Sequence, residues 1–143
     1  MHVIKGTIRR LCGAAIFIVA CSGITTPEAK GDEAPIASGQ QTNGKVRAEI
    51  LSVKRTEGDT LTVRFAIIND GNQPLSITVL NMKLIDLVNR RSYAPGLTSP
   101  SCRTEPGERT ICWAIFAAPN ASVKTINVLL NENFDLISVP LTN

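Results

Sequence analysis

Residues 60–68 read Thr-Leu-Thr-Val-Arg-Phe-Ala-Ile-Ile, so that Leu61, Val63, Phe65 and Ile67 alternate with Thr60, Thr62, Arg64 and Ala66. A period of two puts one set on each face of an extended strand, one towards a core and one towards water. Comparable short runs occur at residues 45–54, 75–80, 82–88, 109–117, 123–130 and 134–141. Glu57-Gly58-Asp59, Asn69-Asp70-Gly71-Asn72 and Asn89-Arg90-Arg91 punctuate them with residues that favour turns and tolerate positive φ. Seven strands at roughly 8–12-residue spacing, with no convincing amphipathic helix, predict an all-β fold: a single antiparallel β-sandwich. The run at residues 83–88 is short and rich in β-branched residues, which favours strand over helix.

The N-terminus is of a different kind. Lys5, Arg9 and Arg10 precede an apolar stretch at residues 11–20. That stretch is about half the ~20 residues a membrane-spanning helix needs, so a removed signal peptide over residues 1–20 is expected. Three of the fifteen basic residues leave with it, and the twelve that remain equal the twelve acidic residues. The chain beyond residue 20 is formally neutral and has no basic stripe with interleaved aromatics, so nucleic acid is not an expected partner.

The apolar stretch ends in Ile18-Val19-Ala20-Cys21. These four residues resemble the bacterial lipobox, an aliphatic residue, a small or aliphatic one, Gly or Ala, and then Cys. The resemblance implies a lipidated Cys21, cleavage before it and acylation of the new amine, since a small Ala20 suits a peptidase cleft and the thiol is the nucleophile that is alkylated. Several acyl chains anchor a protein far more firmly than one. Ser22 follows Cys21, and the enterobacterial sorting rule carried by the same resemblance favours the outer membrane. Residues 21–44 are rich in Gly, Pro, Ser, Thr and Ala and lack aromatics, which predicts a flexible tether ahead of a domain over residues 45–143.

Within that domain the succession FAIIND, MKLIDLVNRRSY, a cysteine, EPGER and WAIFAAP resembles the immunoglobulin-like domains of small bacterial secreted and lipid-anchored proteins, the immunoprotective-extracellular type among them. In those domains an Asn closes an early strand, and a strand carries a pattern like that of Leu84, Asp86 and Tyr93. A turn like Pro106-Gly107-Glu108 precedes a strand end like Phe116 and Pro119. The resemblance implies an immunoglobulin-like sandwich and brings no functional residues with it. The inter-sheet cysteine pair that brackets a tryptophan in antibody-like domains is absent.

Cys102 and Cys112 are the two cysteines left after Cys12 departs with the leader and Cys21 is lipidated. In an exported protein such a pair is expected as a disulfide, facing across two neighbouring strands joined through the Pro106-Gly107 turn. Nine intervening residues do not fit a CxxC redox pair, and no other soft metal ligand accompanies them. The single histidine, His2, lies in the leader, which removes Ser-His-Asp, Cys-His and His-zinc chemistry from the working chain. Asp59, Asp70, Glu105, Glu108 and Asp135 fall in turns and read as solvated. Asp86 interrupts an apolar strand on the face of Leu84, and a structural ion pair with Arg90 or Arg91 is expected there. Trp113 alternates with Ile111 and Ile115 and is expected in the core.

These readings predict a membrane-anchored envelope lipoprotein, not an enzyme, without cofactor or metal. It would present an immunoglobulin-like domain to a protein partner in the cell envelope by a sheet face or by strand addition, with the membrane itself held through Cys21. The alternative is a structural lipoprotein subunit of an envelope secretion or transport complex.

Overall fold

In the computed structural model, which describes residues 33–142, the period-two runs form antiparallel strands. The expected signal peptide, Cys21, Ser22 and the expected tether up to residue 32 lie outside the described residues. The strands are β1 (Ala37–Gln40), β2 (Val46–Thr56), β3 (Thr60–Asn69), β4 (Leu75–Ser76), β5 (Lys83–Asp86), β6 (Arg91–Tyr93), β7 (Pro95–Thr98), β8 (Arg103–Thr104), β9 (Arg109–Ala117), β10 (Thr125–Leu129) and β11 (Ile137–Pro140). A 3₁₀ turn at Val79–Asn81 is the single helical element among the described residues. No helix among them is long and apolar enough to cross a membrane.

One sheet has the order β1-β2-β3-β9-β7 and a second the order β11-β10-β5-β6, with a two-stranded β4-β8 sheet beside them. The inward residues of both large sheets form one core: Ile50, Leu61, Phe65 and Phe116 from the first, Leu84, Ile126, Val128 and Val139 from the second. This is the expected all-β sandwich, and its driving term is the burial of those branched and aromatic side chains. On β3 the alternation predicted from sequence holds, with Leu61, Val63, Phe65 and Ile67 all fully buried. On β2 a bulge between Ile50 and Ser52 changes the parity, so that Val46, Ala48 and Ile50 face inward on one side of it and Val53 on the other.

Both open sides of the sandwich are closed. On one side the chain passes from β6 in the second sheet to β7 in the first with Ala94 alone between them. On the other, β1 meets the β10–β11 connection: Thr42 N–H donates to the Asn133 carbonyl at 2.9 Å and Asp135 N–H to the Gln40 carbonyl at 3.2 Å.

The structure corrects the tether boundary. Residues 37–40, expected to belong to a flexible segment, pair with β2 in the register Ala37↔Ile50 to Gln40↔Arg47. Glu33, within the same expected segment, binds Arg64 of β3 at 2.8 Å. The sequence Ala-Ser-Gly-Gln has almost no strand propensity of its own, and what orders it is an unpaired β2 edge and the side of Ile137. The run at 75–80 also departs from expectation. Only Leu75 and Ser76 are strand, after which the chain turns over the core and buries Ile77, Val79 and Met82.

The turns behave as their residues require. Gly58, Asp59, Arg90 and Gly107 take positive φ values of 76°, 53°, 53° and 77°. The bend after β3 is made differently, without positive φ at residues 69–72. Buried Asn69 donates through Nδ2 to the Gln73 and Thr104 carbonyls and accepts from Gly71 N–H, substituting side-chain bonds for a special backbone conformation.

Candidate functional site

The outer face of the five-stranded sheet carries an apolar strip, and strand register explains how it arises. Cys112, Ala114 and Phe116 of β9 lie opposite Phe65, Val63 and Leu61 of β3 and point into the core. The intervening Ile111, Trp113 and Ile115 therefore point outward, opposite Ala66, Arg64 and Thr62. Leu97 of β7 extends the strip opposite Ile115. Leu97 is 58% and Ile111 45% exposed, with Trp113 and Ile115 half-buried between them. Trp113 was expected in the core, and the structure reverses that reading. Every position of the apolar run 111–116 suits a core, so alternation alone cannot choose the face. Cys112 could have chosen it, because a disulfide sulfur belongs inside and Trp113 must then lie on the other side.

Two ion pairs flank the strip. The Arg109 guanidinium binds Glu49 across β3 at 3.0 Å, partly shielded from water, and Arg64 binds Glu33 at 2.8 Å. Beneath them Ala66 and Ile68 are buried on the same outward face. The backbone of Trp113 is fixed by reciprocal bonds to Ser99: Ser99 N–H donates to the Trp113 carbonyl at 2.9 Å, and Trp113 N–H donates to Ser99 Oγ at 2.7 Å. The indole is thus presented from a doubly tied backbone.

The adjoining edge is poorly suited to accept a further strand. β7 begins with Pro95, which has no N–H to offer, and its pairing with β9 is broken by an irregularity between Pro95 and Leu97. Such devices blunt sheet edges against pairing. β6, at the adjoining edge of the second sheet, is three residues long.

Cys102 and Cys112 form the expected disulfide, with a Cα separation of 5.9 Å, and both are buried. Its placement differs from the expected hairpin. β8 pairs with β4, and the Cys102 carbonyl accepts from Ile77 N–H, so the bridge ties the small sheet to β9 of the large one. Proline and glycine do turn the chain between them, but Cys102 follows β4 rather than the partner edge of β9.

Asp86 is fully buried beside Leu84, as the alternation required. Its expected ion pair is replaced by local hydrogen bonds. Oδ1 accepts from the N–H groups of Val88 and Asn89 at 3.0 and 3.1 Å, and Oδ2 accepts from Asn89 Nδ2 at 2.7 Å. These bonds, led by the Asn89 side chain, hold the carboxyl below its ordinary pKa against the opposing effect of burial, and the charge of Arg91 contributes less. Three close donors satisfy a carboxylate without bringing an arginine into the interior, where its desolvation would be costly.

Of the turn carboxylates, Glu105 and Glu108 share one turn, where Glu105 N–H donates to Glu108 Oε2 at 3.3 Å, and the others stand in separate loops. Asp70 pairs with Arg47 at 2.6 Å and is held below its ordinary pKa by that bond, and Glu105 pairs with Arg103 at 2.9 Å. Asp59 and Asp135 are exposed in separate turns. A depression of about 520 Å³ between Leu80, Lys83 and Leu129 has Glu132 as its one carboxylate. Among the described residues no three His, Cys, Asp or Glu side chains gather as metal ligands.

No protein-family model matches the chain, and no curated protein matches it significantly. Among solved structures the chain is similar to the yjhA protein from Bacillus subtilis, with 17% identity and a TM-score of 0.47 over 59% of this chain and 70% of that one. At that level the likeness carries no further argument.

Proposed function

We propose that this chain is a bacterial envelope lipoprotein, anchored through Cys21, whose immunoglobulin-like domain binds a protein partner without catalysis. The observation that supports this reading is the outward strip of Leu97, Ile111, Trp113 and Ile115 bounded by the Arg109–Glu49 and Arg64–Glu33 pairs. Apolar residues clustered on a sheet face within a charged rim resemble the centre and rim of a protein interface, with a tryptophan of the kind that anchors one. The blunted β7 edge favours docking on the face over strand addition.

The test is a photo-crosslinking residue placed at Ile111 in cells, with the same residue at Ser138 on β11 as a control. The reading expects a discrete adduct from position 111 that disappears when Leu97→Glu is introduced, and none from position 138. Equal adducts from both positions, or none from either, would overturn it. Co-purification of the adduct in fixed stoichiometry with a large assembly would favour the structural-subunit alternative over a free-standing binder. Mass spectrometry of the mature chain tests the anchor separately, since an acylated Cys21 should be its first residue.

A further inference from the structure

We infer that the β5–β6 hairpin tip is a membrane-contact loop that sets Leu87 and Val88 into the surface of an anionic phospholipid bilayer and receives headgroup phosphates on Arg90 and Arg91. The inference goes beyond the proposed function and does not require acylation of Cys21.

The tip reads Asp86-Leu87-Val88-Asn89-Arg90-Arg91, and its exposure is unusual for its composition. Val88 is 87% and Leu87 62% exposed, the former the highest value among the exposed large apolar residues described. Nothing in the fold uses these two side chains, yet the backbone that carries them is firmly held. Buried Asp86 accepts from both Val88 and Asn89 N–H, and Arg90 takes a φ of 53° to complete the turn. A loop held rigid from within, with its apolar residues directed at solvent, loses little conformational freedom on inserting them.

Charge selects the occupant. Arg90 and Arg91 follow the apolar pair after Asn89, and both are exposed. Beside them lies a polar depression of about 270 Å³ lined by Asn89, Arg91, Tyr93, Asn120 and Ser122, a set rich in donors and without a carboxylate. The neighbouring loops reinforce the sign. The β2–β3 turn lies at this end, where Ala118 N–H donates to the Asp59 carbonyl and the Arg55 guanidinium donates to the Pro119 and Asn120 carbonyls. Arg90 and Arg91 are exposed at the tip, Arg55 is held here by its carbonyl bonds and Lys124 by its bond to the Ala121 carbonyl, against the solvent-facing Glu57 and Asp59. A pair of aliphatic side chains ahead of a basic collar matches the interface of an anionic bilayer, where the hydrocarbon boundary lies just beneath a layer of phosphates. A protein partner would have to match the same small tip with an apolar pocket ringed by acid.

The test uses the full chain carrying Trp113→Phe and Val88→Trp, so that the one indole reports from the tip. The chain is reconstituted into vesicles of phosphatidylcholine, or of phosphatidylcholine with phosphatidylglycerol, with bromine on the acyl chains. The inference expects blue-shifted emission and strong bromine quenching in the anionic vesicles. It expects quenching to need roughly fivefold more anionic lipid for each of Arg90→Gln and Arg91→Gln. Unquenched emission in anionic vesicles would overturn it, as would quenching unchanged in the Arg90→Gln, Arg91→Gln double variant. Burial of the tip by a co-purifying protein with no bromine quenching would also overturn it. A parallel chain with Leu87→Trp in place of Val88→Trp repeats the measurement from the adjacent tip residue, so a folding defect in one variant leaves the question answerable.

Discussion

The side-chain amide of Asn89 donates to Asp86 Oδ2 at 2.7 Å, while the Asn89 backbone N–H donates to Oδ1 of the same carboxylate. One residue thus supplies two of the three bonds that stabilise a fully buried negative charge. Because these bonds favour the ionised form, the folded pKa lies below the ordinary value of 3.8. A depressed carboxylate pKa contributes stability that is fully present above the unfolded value and is lost as pH falls through the folded one. Asp86→Asn should lower the melting temperature at pH 7 by roughly 5 °C and flatten the loss of stability below pH ~4. Thermal melts of both proteins from pH 2 to 8 check this, and parallel acid limbs would show that Asp86 is not the titrating group.

Gly39 of β1 has no room for a side chain. A Cβ there would lie 2.6 Å from Ile137 Cγ1, inside any tolerable contact. Gly39→Val should therefore cost about 1–3 kcal/mol through overpacking against β11. Were residue 39 part of a free tether, the change would stay within roughly 0.5 kcal/mol. Urea unfolding of the two proteins decides between these outcomes.

The Cys102–Cys112 bridge closes a short loop between the small sheet and β9. Replacing both residues by alanine should remove about 2–3 kcal/mol, chiefly by releasing the unfolded chain from its constraint. The same loss should follow reduction of the unaltered protein, and denaturant midpoints with and without reductant measure it. A double variant as stable as the parent would show that the native loop is held by packing alone.

Thr104 is fully buried, and its Oγ1 has no hydrogen-bond partner among the described residues. A buried hydroxyl left in that state costs about 1 kcal/mol or more. Valine has nearly the same shape and suits a strand, so Thr104→Val should stabilise the domain by about 1 kcal/mol. The Thr104 carbonyl would go on accepting from Asn69 Nδ2. Destabilisation by Thr104→Val in a thermal melt would refute the assignment of an idle hydroxyl.

Much of the sandwich is legible in residue order because its strands are long and their inward positions unambiguous. Leu61 to Ile67 could not be read any other way, and Leu84 carried Asp86 inward with it. Where both faces of a strand are apolar, the reading fails. Trp113 and Cys112 cannot both face the core, and pairing with β3 placed the cysteine inside. Short strands such as β1, β7 and β8 also escape detection, since two to four residues carry no measurable periodicity.

Composition and period alone determined that this chain would form an antiparallel β-sandwich, and the count and spacing of its cysteines pointed to the Cys102–Cys112 disulfide. Those properties are local or follow from the count of residue types. Which face of β9 meets water, how Asp86 is satisfied, and that residues 37–40 join the sheet were decided by tertiary structure. Each depends on what lies opposite a residue across a sheet, and that neighbour is set by strand register between segments far apart in sequence.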